Sequence, residues 1–129
     1  MSAPLLLLVG ILGGAGALAR FLVDAAITAR AARTRTPAGG RPFPLGILAV
    51  NLSGAFLLGI VVGLAVHGDR YSLIATGLLG SYTTFSTWVF DSHRLASDGR
   101  PASAALNIGA SLVLGLLAVW LGRELGGLL

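Results

Sequence analysis

An all-α integral membrane fold of four transmembrane helices, the third of them broken, is predicted by three observations on this 129-residue chain. Its residues are 55% hydrophobic and only 11% charged, with a mean hydropathy of +0.87, too few charges to solvate the surface of a water-soluble domain. Four apolar stretches reach the roughly 20 residues that a helix needs to cross hydrocarbon. The third contains TGLLGSYTTFSTWVFD, Thr76 to Asp91, where glycines, hydroxyls and aromatic rings crowd together as they do not in an ordinary lipid-facing helix.

Charge and composition remove several function classes. There is no cysteine, which excludes disulfides, thiolate catalysis and Cys-ligated zinc. All nine basic residues are arginine and the net charge is +4. In a soluble protein that balance would suggest nucleic acid. Beside membrane spans, arginines set orientation and meet anionic lipid, so the expected partner is membrane lipid and no nucleic acid. No nucleotide loop or catalytic constellation is visible, and the chain is not read as an enzyme.

The first span covers about 4–27. Its start, MSAPLLLLVGILGGAGALAR, lacks the charged leader of a signal peptide, and the apolar run continues past Arg20 into FLVDAAI, so it reads as a retained helix. The glycines of GILGGAGALAR do not make a phosphate loop, since no strand precedes them and no Gly-Lys-Ser/Thr follows; they serve close helix packing. Arg20 and Asp24 are the charges well inside a span, and four residues apart on one face they can pair. Intramembrane charge marks function by default, here a pore mouth, whereas the bland reading of Arg20 is a side chain reaching the interface.

The long connector TARAARTRTPAGGRPF leads to the second span, about 44–66, with Pro44 suited to a helix start. This span is apolar apart from Asn51 and Ser53, and Gly59 and Gly63 form a small-xxx-small packing face. After HGDRY comes the third span, about 72–91, and after HRLASDGRP the fourth, about 102–124, with Pro101 at its start. Ser103, Asn107 and Ser111 fall on one stripe of the fourth span, and Gly109 and Gly115 allow close approach there. His67 and His93 lie near connectors and read as surface residues. Four helices joined this tightly leave no room for a second domain, so residues 1–129 read as one four-span membrane domain. So small a bundle cannot enclose a solute path while shielding its own polar groups from lipid, which predicts an oligomer.

The third span predicts a break. Gly77 and Gly80 lower the cost of interrupting the helix, and the hydroxyls of Thr83, Thr84, Ser86 and Thr87 can satisfy the backbone groups that an interruption frees. A broken membrane helix exposes oriented dipoles, and its freed carbonyls can coordinate a small cation. Tyr82, Phe85 and Trp88 recur every third residue; rings presented edge-on to a narrow path would favour a bare anion, while core packing or an interfacial belt is the plainer use of the same rings.

Four motifs, GGAGALARF, PLGILAVNLSGAF, GLLGSYTTFSTW and ALNIGASLVLGLLAVWLG, occur one per span in order. Together they resemble the CrcB/Fluc family of fluoride channels over all four spans. The resemblance implies a dimer of four-helix subunits inserted antiparallel in the inner membrane of a prokaryote, with two fluoride pores and a structural sodium ion at the interface. Sodium would be held by the backbone carbonyls of Gly80 and Thr83. Asn51 would be the pore amide, Phe85 the first ring of an aromatic box, Ser86 and Thr87 part of a hydroxyl track, and Asn107 and Ser111 its continuation on the fourth span. Arg20 matches the family's arginine near a pore entrance.

Three positions depart from the family's usual residues: Trp88 stands for a second Phe, Asn107 for Tyr and Asp91 for Glu. An indole keeps an electropositive rim but is larger and adds an N–H donor. The implied path would replace the hydration shell of fluoride with neutral donors and ring edges, avoiding a fixed positive charge that would trap the ion.

Arginine placement adds an expectation of its own. If the spans alternate, Arg30, Arg33, Arg35, Arg41, Arg94 and Arg100 share one side against Arg70 and Arg123 on the other. That bias favours a fixed orientation with both termini outside, and hence a heterodimer with a related, oppositely oriented subunit over an antiparallel homodimer. The rival class is a small four-span multidrug exporter, which needs a carboxylate within span one; Asp24 lies too near the end of its span. A scaffold protein would make every polar stripe mere helix contact.

Overall fold

The structure, a computed structural model, describes residues 2–33 and 42–129, which fold into helices and their connections. Helix α1 spans Ala3–Arg33, α2 Leu45–Gly63 and α6 Pro101–Leu128, and each is long and apolar enough to cross a membrane. Arg30 and Arg33 close α1, where positive charge complements the carbonyl end of the helix dipole. Pro101 opens α6 at a position that needs no N–H. The orientation argument's Arg35 and Arg41 lie outside the described residues.

The remaining crossing is assembled from pieces: α3 (Gly68–Tyr71), a π-helical segment (Ser72–Leu79), α4 (Gly80–Tyr82) and α5 (Phe85–Ser97). It continues past the predicted end at 91, as α1 does past 27. The interruption is real, and it falls just after Gly80, in the hydroxyl run. Gly77 and Gly80 remain helical, and the chain opens instead at Thr83 (φ −80°, ψ 161°) and Thr84 (φ −148°, ψ 126°). Gly77 is used for close packing, its Cα side facing the Val9 backbone of α1.

Helices α2 and α5 end in the same way. Beyond α5, Gly99 N–H returns to Ala96 O and Arg100 N–H to Leu95 O; beyond α2, Ala65 N–H returns to Val62 O and Val66 N–H to Val61 O. Both turns require a left-handed residue, supplied by Gly99 (φ 73°) and, unusually, by Ala65 (φ 51°).

Packing is closest between α2 and α6. A Cβ at Gly59 or Gly63 would run into the α6 backbone at Val119 or Arg123, and one at Gly122 or Gly126 into the α2 backbone at Phe56 or Ile60. The packing face expected at Gly59 and Gly63 is therefore present. Its partners are Gly122 and Gly126; Gly109 and Gly115 face open space in this chain. Against the other side of the crossing lies α1, with Gly16 beside the Leu78 carbonyl. Leucines of α1 and α6 and Phe21 point outward, as hydrocarbon solvent permits.

Candidate functional site at the helix break

In an uninterrupted helix the Thr84 N–H would return to the Gly80 carbonyl. Here it donates to Asn51 Oδ1 at 2.9 Å, while Asn51 Nδ2 donates to the Thr84 carbonyl, also at 2.9 Å. One amide of α2 thus takes over both backbone groups of the opened residue, and the Gly80 carbonyl loses the partner that helix continuity would give it. Gly54, one turn along α2, lets the break come close: a Cβ there would strike Thr83 Cγ2.

Arg20 completes the wrapping of the break. Its Nη1 donates to the Thr83 carbonyl at 3.2 Å. The Arg20–Asp24 pair that the sequence allows is not formed; Asp24 Oδ1 accepts from Thr28 Oγ1 at 3.3 Å instead. The Arg-before-Asp order is the weaker one for a pair on a single helix, and Arg20 reaches instead across to the carbonyl that the break opens.

The next helix starts with a side-chain cap. Thr84 Oγ1 accepts from the Thr87 N–H at 3.3 Å, and the same hydroxyl lies 3.1 Å from Thr87 Oγ1 and 3.3 Å from Ser86 Oγ. Thr83 Oγ1 donates back to Leu79 O at 3.1 Å, and Tyr82 OH meets Ser53 Oγ at 2.9 Å. Of the hydroxyls predicted to satisfy a broken helix, those of Thr83 and Thr84 reach backbone groups, with Thr84, 8% exposed, at the centre, while those of Ser86 and Thr87 meet the Thr84 hydroxyl.

Beside the break lies a half-open cavity of about 340 Å³ lined by Asn51, Thr84, Phe85, Trp88, Ser111 and apolar residues of α2 and the π-helical segment. None of its lining residues is charged. Phe85 and Trp88 meet edge to face, with centroids 5.2 Å apart and planes at 68°. Phe85 is 74% exposed, so one wall stands free in the single chain. Ser111 Oγ is buried without a hydrogen-bond partner among the described residues, a free donor on the α6 side.

Gly80 and Thr83 line this cavity as well, whereas the remaining predicted residues lie around it. Ser86 is exposed. Thr87 lines a second cleft of about 440 Å³ at the far end of α5, together with Asp24, Phe90, Asp91, Arg94 and Asp98. Asn107 is 1% exposed and points into the α5–α6 contact, where its Nδ2 donates to Ser92 Oγ at 2.9 Å. Ser92, buried at 5%, was not among the residues singled out from the sequence. Its only sequence signal is its position one helical turn after Trp88.

Apolar spans joined around a broken crossing, with a neutral polar cavity at the break, define a small polytopic membrane protein of the channel and transporter class. The family described as CrcB-like protein, Camphor Resistance (CrcB), matches residues 7–123. The chain belongs to that family. It is 47% identical over 113 residues to the fluoride-specific ion channel FluC 2 of Mycobacterium tuberculosis (strain ATCC 25618 / H37Rv), covering 88% of this chain and 83% of that one. It is 44% identical over 124 residues to FluC 1 of Symbiobacterium thermophilum, covering 92% and 94%, and 43% identical over 121 residues to FluC of Acidobacterium capsulatum, covering 89% and 90%.

Proposed function

We propose that this chain forms a fluoride-selective passive channel that lets the ion leave across the cell's inner membrane and so relieves fluoride toxicity. The observation that carries the reading is the cavity at the break: neutral donors and ring edges converge there with no charged side chain in the lining. A small anion needs its hydration replaced, and a charged side chain in direct contact with it in low dielectric would hold it fast. Asn51, Ser111 and the rims of Phe85 and Trp88 are its first partners. Ser86 and Thr87 extend the hydroxyl track along α5 toward the second cleft, and Asn107 belongs to the α6 stripe behind Trp88.

The working unit is a dimer inserted antiparallel. Phe85 and Ser86 stand exposed beside a half-open cavity, and exposed hydroxyls within a span are poorly suited to lipid. The arginine bias, six against two, favours a related, oppositely oriented subunit as the partner. An active antiparallel dimer formed from this chain alone would overturn that assignment in favour of the homodimer.

A structural sodium ion fits the same reading. The Gly80 and Thr83 carbonyls are neutral hard oxygens at the end of a half-helix, and Thr83 O retains a lone pair beside the bond from Arg20. Bound there, sodium would supply positive charge that offsets the exposed carbonyl ends of the two subunits.

The test is efflux from liposomes loaded with fluoride, chloride or a cationic dye. Selective fluoride efflux is expected, falling by about tenfold or more in Phe85→Ile or Asn51→Asp, as loss of one interaction of about 1.4 kcal/mol would give. Retained fluoride, equal chloride leakage or proton-driven dye movement would each reject the channel.

A further inference from the structure

Trp88 brings to the cavity a group that a phenylalanine lacks, and the structure accounts for it fully. The indole Nε1 donates to the backbone carbonyl of Asn107 on α6 at 3.2 Å. The amide of the same Asn107 donates through Nδ2 to Ser92 Oγ at 2.9 Å. Ser92 Oγ donates in turn to the Trp88 carbonyl at 2.9 Å. The three bonds close a circuit that starts and ends on Trp88 and crosses between α5 and α6.

We infer that Ser92 and Asn107 are positioning residues that fix the angle of the Trp88 indole in the ion path, turning its N–H away from the cavity so that only the carbon–hydrogen rim and face meet the ion. This inference rests on the channel reading and specifies how one wall of the channel is set.

Three observations support it. Asn107 and Ser92 are 1% and 5% exposed, and neither lines the cavity, so neither touches the solute directly. Each hydrogen bond in the circuit consumes a group that would be costly to leave unpaired in an apolar interior. The bonded edge of the indole faces α6 while Phe85 meets the ring at 68°, so rotation of Trp88 would break a bond at one side and a ring contact at the other. A free N–H in so apolar a cavity would be an anion donor; tied to a carbonyl, it leaves the ring with the weak electropositive rim of a hydrocarbon aromatic. The circuit thereby lets an indole stand where a phenyl ring is usual without adding a trap.

The circuit predicts a dependence that a merely structural serine would not have. Chains with Trp120→Phe retain Trp88 as the single indole, whose N–H resonance can be followed after ¹⁵N labelling. Ser92→Ala and Asn107→Leu are each expected to move that resonance and to cut the fluoride-to-chloride efflux ratio by about tenfold, equivalent to about 1.4 kcal/mol. Ser92→Thr, which keeps the hydroxyl, should restore both readouts. Because the bonds act as a unit, the double variant should fall no further than either single one. In a Trp88→Phe background, Ser92→Ala should leave the ratio where Trp88→Phe put it.

An unmoved indole resonance in Ser92→Ala, or an equal further loss of selectivity in the Trp88→Phe background, would overturn the positioning role. Absence of fluoride efflux from the parent chain would instead reject the channel reading, and the indole resonance would still report on the circuit.

Discussion

The α2–α6 seam and the helix break are held together by opposite means. Along the seam, Gly59, Gly63, Gly122 and Gly126 bring two backbones into direct contact, and shape alone joins them. At the break, side chains meet the opened backbone: Asn51 the Thr84 N–H and carbonyl, Arg20 the Thr83 carbonyl, Thr84 the Thr87 N–H. The difference teaches where each device is useful. Lipid offers no hydrophobic push between helices, so rigid contact depends on small residues that maximise van der Waals packing. An opened backbone in lipid has no water to turn to, so its polar groups must be met by protein. The seam provides a rigid support, and the break provides polar groups at a fixed place beside it.

The largest expected effect breaks the seam. Gly59→Leu pushes a side chain into the Val119 backbone, which cannot yield, and should cost about 3 kcal/mol or more. Size-exclusion profiles of detergent extracts should then lose the folded peak. Next is the break. Asn51→Leu strands the Thr84 N–H and carbonyl at an expected cost of about 1–3 kcal/mol. A thermal melt should fall while the folded peak survives, and Asn51→Asp, which still accepts from the N–H, should fall less. The smallest effect tests whether every bond near the break matters. Ser53 Oγ reaches Tyr82 OH and two carbonyls of its own helix, so Ser53→Ala should cost about 0.6 kcal/mol, the average for such bonds in a membrane. A melt shift as large as that of Asn51→Leu would erase the distinction drawn here between clamping and incidental bonds.

Much of this was legible in the sequence, and the gaps have physical causes. Hydrophobic run length found the three long apolar helices and the fourth, assembled one, and hydroxyls mixed with rings marked that one as broken. The four motifs named the family that the comparison with known sequences supports. The chain opens at Thr83, beside Gly80, and the glycines only make an interruption cheap without causing it. What holds the chain open is an amide 33 residues away in sequence, and local composition carries no trace of that pairing. The bond of Arg20 to Thr83, 63 residues away, is likewise invisible locally, where the sequence offers only Asp24 as a possible partner.

The glycines of α6 that meet α2 carry a spacing signal. Gly122 and Gly126 repeat the i, i+4 spacing of Gly59 and Gly63, whereas Gly109 and Gly115 are six apart and fall on different faces. The circuit of Trp88, Ser92 and Asn107 was half visible: Trp88 and Ser92 share a face of α5, but the arrival of Asn107 depends on how α6 is rotated against it.

The wide winding of Ser72–Leu79 has a consequence for how the chain can vary. An α-helix advances about 100° per residue, and a π-helical stretch advances less, so this segment sets the angular phase at which Thr83 and Thr84 emerge. One residue gained or lost in a surface connector changes only slack. The same change between Tyr71 and Thr83 would be read out as a swing of the opened backbone away from Asn51, which makes the residue count of this stretch, and not only its composition, part of what the molecule must inherit intact.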